Sequence, residues 1–126
     1  MKQQKPKLSA GLWLDNHKAL IISKGEENGD YAVEEKIMSE NDSHMSASEH
    51  TQNQAKKGDM LKYFKQVSKQ IIKFDDIYVF GTGKSQEQFH NFLKEDALFN
   101  NKKITVDSAG NLEEPQMVHK VKEFFK

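Results

Sequence analysis

Lys62, Lys65, Lys69 and Lys73 recur at three- and four-residue spacing. On a helix that spacing places all four within about a quarter of the circumference. Gln66 and Gln70 share that face, and no acid stands four residues from any of these lysines. Lys65–Lys69 and Lys69–Lys73 are like-charge pairs that each cost a helix a few tenths of a kcal/mol. Such a face suits a polyanion, each lysine–phosphate contact steepening the salt dependence of binding by about one unit. The plainer reading is a solvated helix face, and the residues alone leave both open. Lys56, Lys57 and Lys84 could extend the patch.

Gly81-Thr82-Gly83-Lys84-Ser85 lies between an apolar run and a helical pattern, where exposed N–H groups can hold a phosphate or sulfate. A nucleotide-binding P-loop also needs a glycine five residues before the Gly-Lys pair, and Tyr78 stands there. A tight strand-to-helix turn is the expected role. Asp15, Asp75, Asp76 and Asp107 are the candidate ligands for a hard cation such as magnesium, which needs two or three converging carboxylates. Asp75 and Asp76 precede their strand, whereas Asp15 and Asp107 end theirs, so at most two share one end of a sheet. Asp15 reads better as a turn-initiating residue. His44 and His50 sit near Asp42 and Glu49 in a polar stretch, too loosely spaced for zinc. His17, His90 and His119 complete the five histidines. Trp13 could stack on a base, but between Leu12 and Leu14 it reads as core. No catalytic residue, metal site or cofactor is assigned.

Composition narrows the partners further. All 19 basic residues are lysine, against 19 acids, so bidentate guanidinium recognition of phosphate or guanine is unavailable. Cysteine is absent, which removes disulfides, thiolate catalysis and cysteine zinc sites. The zero net charge hides segregation. Residues 26–42 carry seven acids and one base, Lys36, while residues 56–73 carry six lysines and one acid, Asp59. No stretch approaches the roughly 18 apolar residues of a membrane helix. Residues 1–8 lack an apolar signal-peptide core and read as a flexible tail before a single domain over 9–126. A cytoplasmic location is expected.

These groups must be positioned by the elements between them. Leu12-Trp13-Leu14 and Ala19-Leu20-Ile21-Ile22-Ser23 are short apolar runs suited to strands covered on both faces. Asn28-Gly29 signals a hairpin. Residues 31–38 alternate, with Tyr31, Val33, Glu35 and Ile37 on one face of a third strand whose charges protect a sheet edge. Residues 39–55 show no periodicity and read as a long loop. A helix is expected over 58–74, with Met60, Leu61, Phe64, Val67, Ile71 and Ile72 inward. Ile77-Tyr78-Val79-Phe80 forms a buried strand. Ser85 and Gln88 then form a capping box for a helix burying Phe89, Phe92, Leu93 and Leu98. Residues 103–107 form a last strand. Glu113-Glu114-Pro115 opens a final helix lined by Met117, Val118, Val121, Phe124 and Phe125. The order β-β-β-α-β-α-β-α implies a three-layer α/β fold. Its mixed five-stranded sheet has the order 3-2-1-4-5, strand 2 antiparallel, and helices on both faces, the ribonuclease H-like arrangement.

Three pieces of this pattern resemble one family. Gly11-Leu12-Trp13-Leu14-Asp15 with Lys18-Ala19-Leu20-Ile21-Ile22 resembles the opening hairpin of bacterial proteins related to the middle domain of class-1 peptide release factors and Pelota. Ile77-Tyr78-Val79-Phe80-Gly81-Thr82-Gly83 with Phe89 and Leu93 resembles that domain's central strand, glycine turn and helix. Ile104-Thr105-Val106 with Val118, Val121 and Phe124 resembles its last βα unit. The resemblance covers roughly residues 9–126. It implies a ribosome- or tRNA-facing role. In release factors the loop matching 39–55 bears a Gly-Gly-Gln tip that enters the peptidyl-transferase centre. Here that segment offers Gln52, Asn53 and Gln54 without the glycines that allow close backbone approach.

The expectation is therefore a non-catalytic, ribosome- or RNA-associated protein without peptidyl-tRNA hydrolase activity. Two alternatives stand beside it. One is a metal-dependent nuclease or hydrolase of ribonuclease H-like fold. The other is a protein–protein adaptor using a sheet edge, 31–38 or 103–107.

Overall fold

The computed structural model describes residues 8–24, 29–39 and 49–126, of which 49–59 by their backbone. Its elements are β1 (Ser9–Leu14), β2 (Lys18–Lys24), β3 (Tyr31–Met38), α1 (Glu49–Ile71), β4 (Asp76–Gly81), α2 (Ser85–Lys94), a 3-10 turn (Ala97–Phe99), β5 (Lys103–Ser108) and α3 (Glu114–Phe124). The five strands form one sheet in the order β3-β2-β1-β4-β5. β2 runs antiparallel to both β1 and β3, and β4 runs parallel to β1 and β5. The predicted order and strand directions are those observed.

The continuous apolar runs follow from cover on both faces. Leu12, Leu14, Ala19, Ile21, Ile77 and Val79 point to the layer of α1 and α2, packing on Tyr63, Phe64, Val67, Ile71, Phe89 and Leu93. Trp13, Leu20, Ile22, Tyr78 and Phe80 point the other way, onto Met117 and Val121 of α3. Trp13 is buried, which places it in the core. α3 starts as its sequence suggests, with Pro115 in the first turn and the Gln116 side chain accepting the Glu113 N–H at 2.9 Å.

Four local expectations are corrected. First, β3 does not present one alternating face. Val33 pairs with Ile22 and Glu35 with Ile21, so Glu34 is the extra residue of a bulge. The side-chain alternation resets there: Tyr31 and Val33 pack on the α3 side, while Ile37 packs on the α1 side. Second, α1 begins at Glu49, so 49–55 belongs to a helix rather than a loop; residues 40–48 lie outside the described residues. Gln, Ala, Lys and Glu are good helix formers, and a helix of such residues needs no apolar stripe to show in the sequence. The helix also stops at Ile71 rather than Phe74. Third, Leu61 is 54% exposed because it sits about 100° round the helix from Met60, off a stripe that is centred on Tyr63, Val67 and Ile71. Fourth, α2 ends at Lys94, so Leu98 belongs to the 3-10 turn and points outward at 70% exposure, while Phe99 turns inward.

The chain is tied down from Leu8, whose N–H donates to Asp75 Oδ2 at 3.2 Å and whose carbonyl accepts the Asp75 N–H at 2.7 Å. The rest of the expected tail, 1–7, lies outside the described residues, as does Asn28 of the hairpin signal, whose Gly29 has a φ of +72°. Among the described residues no helix is long and apolar enough to cross a membrane.

Candidate nucleic-acid interface

α1 holds the lysine series on the side opposite its buried stripe. Tyr63, Phe64, Val67 and Ser68 are buried, and Lys62, Lys65, Gln66, Lys69 and Gln70 are exposed. Lys56 and Lys57 are carried on the helical backbone of α1, with their side chains outside the described residues. The same holds for Gln52, Asn53 and Gln54, which ride on the first turns of α1 rather than on a loop.

Lys73 stands in the turn after α1, and its Nζ is 2.6 Å from Glu34 Oε1. Glu34 also accepts the Ser23 hydroxyl. Glu34 follows Val33, which packs on the α3 side, so strand alternation turns Glu34 toward α1. Partial burial pushes the Glu34 carboxyl up, but the hydrogen bonds from Lys73 and Ser23 and the Lys73 charge outweigh it, leaving Glu34 below the ordinary carboxylate range. Both side chains of the pair are more than one-third exposed, 53% for Lys73 and 37% for Glu34, so solvent screens the attraction and the pair adds little to stability. Lys73 nevertheless meets a carboxylate from a distant strand that no local pattern places there. On the other side of β3, Lys36 pairs with Glu114 of α3 at 2.9 Å.

Between β3 and the lysine face runs a groove of about 280 Å³ lined by Lys36, Ile37, Met38, Gln66, Lys69 and Gln70. It combines the Lys69 ammonium and two amides with an apolar floor, while the Lys36 ammonium is turned to Glu114 on the α3 side. Those are the group types that can follow a phosphodiester backbone when guanidinium groups are absent.

The Gly81-Thr82-Gly83-Lys84-Ser85 turn sits at the C-terminal ends of the parallel strands. Gly83 has a φ of +65°, the left-handed conformation that favours glycine. The expected capping box is not formed. Ser85 is the first residue of α2 rather than its cap, and its hydroxyl donates to Asn16 Oδ1 at 2.7 Å, tying the turn to the β1–β2 connection. The Gln86 side chain, missed in the sequence, donates to the Gly83 carbonyl at 3.2 Å. Ala109 N–H closes the same region onto the Gly81 carbonyl at 2.8 Å. These bonds make the turn a structural junction.

Asp15 takes the turn role expected of it. Its Oδ1 accepts the N–H groups of His17 and Lys18 at 2.7 and 2.8 Å. Tyr63 donates its hydroxyl to the Asp15 carbonyl at 3.0 Å, a contact between α1 and the β1–β2 turn that the spacing 63, 67, 71 could have suggested. Asp107 accepts the Tyr78 hydroxyl at 2.8 Å, and Asp75 accepts Leu8 at the opposite end of the sheet. Burial, then the hydrogen bond to Asp107, pushes the Tyr78 hydroxyl far above its usual range. Among the described residues no three His, Asp or Glu side chains come together as metal ligands would. His90 is pushed down by burial and by Lys94. His44 lies outside the described residues, as does the His50 side chain.

No protein-family model and no curated protein matches this sequence. Its fold does match solved structures. The Pelota protein of Archaeoglobus fulgidus superposes with a TM-score of 0.62 at 16% identity, over 94% of this chain and 32% of that one. The Pelota protein of Thermoplasma acidophilum gives 0.60 at 11% identity, over 86% and 30%. The archaeal translation termination factor aRF1 gives 0.52 at 12% identity, over 93% and 38%. The chain thus shares the fold of one part of each and spans about a third of their length. The resemblance read from the strands holds at the level of fold.

Proposed function

We propose that this chain is a non-catalytic, cytoplasmic protein that docks on the ribosome or on structured RNA through the lysine face of α1, without hydrolysing peptidyl-tRNA. The observation that carries this reading is Lys62, Lys65 and Lys69 exposed on one side of a helix, in a fold shared with a translation termination factor. The sequence has no Gly-Gly-Gln tripeptide with which to reach an ester bond. The groove beside β3 supports the same reading, because its Lys69, Gln66 and Gln70 continue the lysine face toward Lys36.

Co-sedimentation with ribosomes at about 50 and about 500 mM salt tests it. The wild-type chain is expected to pellet with ribosomes at low salt and to be released at high salt. A Lys62→Glu/Lys65→Glu/Lys69→Glu variant should stay in the supernatant at both. Three phosphate contacts predict a log–log salt slope of about −2 to −3. Failure of the wild type to pellet at low salt refutes the reading.

A further inference from the structure

β3 and β5 are the two edges of the sheet, and they are built differently. β3 carries the bulge at Glu34, and its charged side chains are tied to helices on both faces, Glu34 to the end of α1 and Lys36 to α3. Bulges and charges of this kind discourage a further strand. β5 has no bulge, and its two charges, Lys103 and Asp107, are of opposite sign and stand toward its two ends. It runs in unbroken register beside β4 from Lys103 to Ser108, with no proline. Among the described residues no strand pairs with its outer side.

Two backbone bonds establish which groups of β5 face outward. Lys103 N–H donates to the Asp75 carbonyl at 2.9 Å, and Ala109 N–H to the Gly81 carbonyl at 2.8 Å. In a parallel ladder alternate residues turn both backbone groups to the same neighbour. Lys103, Thr105 and Asp107 therefore face β4. Ile104 and Val106 between them present N–H and C=O to the outside.

We propose that β5 pairs antiparallel with β5 of a second copy of this chain, about a two-fold axis at Thr105, joining two five-stranded sheets into one. In that register Ile104 lies opposite Val106 of the second copy, and the two exchange both backbone hydrogen bonds. The axis repeats the exchange. Thr105 lies opposite itself, a favourable cross-strand pair. Lys103 lies opposite Asp107 of the second copy, twice, at non-hydrogen-bonded positions where facing side chains come closest. The Asp107 carboxylate is already held by the Tyr78 hydroxyl at 2.8 Å, so it meets the lysine pre-oriented. A slip of one residue sets outward-facing backbone groups against inward-facing ones. A slip of two puts Lys103 or Asp107 opposite Thr105 and leaves the charges unpaired. One register satisfies backbone and side chains together, and that self-complementarity is what selects a second copy as the partner.

Analytical ultracentrifugation from about 1 μM to about 1 mM tests the pairing. The wild-type chain should show a reversible monomer–dimer equilibrium. Lys103→Asp, an exposed substitution, sets acid against acid and should raise the dissociation constant about tenfold or more. Asp107→Lys should do the same. An equimolar mixture of the two variants restores both charge pairs and should recover dimer. As a readout that needs no variant, amide exchange at Ile104 and Val106 should slow as the wild type is concentrated, while Lys103 and Thr105, bonded to β4, stay unchanged. A wild-type monomer throughout the range overturns the proposal. So does a dimer indifferent to Lys103→Asp, or exchange at Ile104 and Val106 that ignores concentration.

Discussion

Gly11→Ala is the substitution whose cost can be worked most directly from the packing. Gly11 lies in the middle of β1 on the α3 side, between Ile22 and Tyr78. A Cβ there would stand 2.2 Å from Val121 Cγ2 and 3.0 Å from Cγ1. Val121 is fully buried and has no room to retreat. Overpacking of this kind costs about 1–3 kcal/mol, and a 2.2 Å approach to a fully buried side chain points to the upper half of that range. The smaller unfolded-state entropy of alanine returns about 0.5–1 kcal/mol. A net loss of about 2 kcal/mol is expected. Val121→Ala alone removes two buried methyl groups, worth about 1.6 kcal/mol in transfer plus a cavity term, for a loss of about 2–3 kcal/mol. If the two sites were independent, the double variant would lose about 4–5 kcal/mol. In the fold described, the new methyl group enters the space that the valine methyl groups vacate. The double variant should then lose only about 2 kcal/mol, a coupling of about 2 kcal/mol. Urea unfolding followed by circular dichroism, with an unchanged m-value, measures it. Additive losses within about 0.5 kcal/mol would refute the contact between Gly11 and Val121, and with it the seating of α3 on β1.

Tyr63→Phe removes the buried hydroxyl that reaches the Asp15 carbonyl and should cost about 1–2 kcal/mol by the same urea assay. Glu34 has a folded pKa below its unfolded one, so the unfolded chain binds its proton more readily. Its contribution is present above the ordinary carboxylate range and is lost as pH falls through that range. Glu34→Gln should therefore flatten the fall in urea midpoint between about pH 6 and about pH 3 relative to the wild type. In RNA binding, Lys65→Ala should reduce the salt slope by about one unit. Lys73→Ala should reduce it by less, because Lys73 must first give up Glu34.

The parts of the fold that depend on apolar runs and period were legible. Strands covered on both faces must be apolar throughout, so β1, β2 and β4 declared themselves, and the β-β-β-α-β-α-β-α order then allowed few sheets. What stayed hidden depends on distances along the chain that no local pattern encodes. The bulge at Glu34 shifts side chains from one face to the other without any change in residue type. The first turns of α1 have helix formers but no stripe, and periodicity looks only for stripes. Ser85 and Gln88 have capping-box spacing, yet Asn16, from a turn distant in sequence, takes the serine hydroxyl. The lysine face was legible as a face. Its pairing was not, because Glu34 comes from a strand that precedes α1.

That hidden pairing relocates the candidate interface. Along the sequence, acids and lysines form separate blocks, which suggests a molecule polarised from one element to the next. In the fold, β3 lies beside α1, and Glu34 pairs with Lys73. The C-terminal end of the lysine face is thereby partly neutralised. The positive field that a polyanion would meet is carried in the main by Lys65 and Lys69 on the preceding turns, and Lys69 opens onto the groove beside β3. Lys36 is itself shared with Glu114, so its charge is screened on the α3 side. A phosphate chain held by these groups would run along the middle of α1 and enter the groove at Lys69. Lys65 and Lys69 are therefore the residues on which binding should depend most, and Lys73 and Lys36 the ones whose loss an RNA partner should feel least.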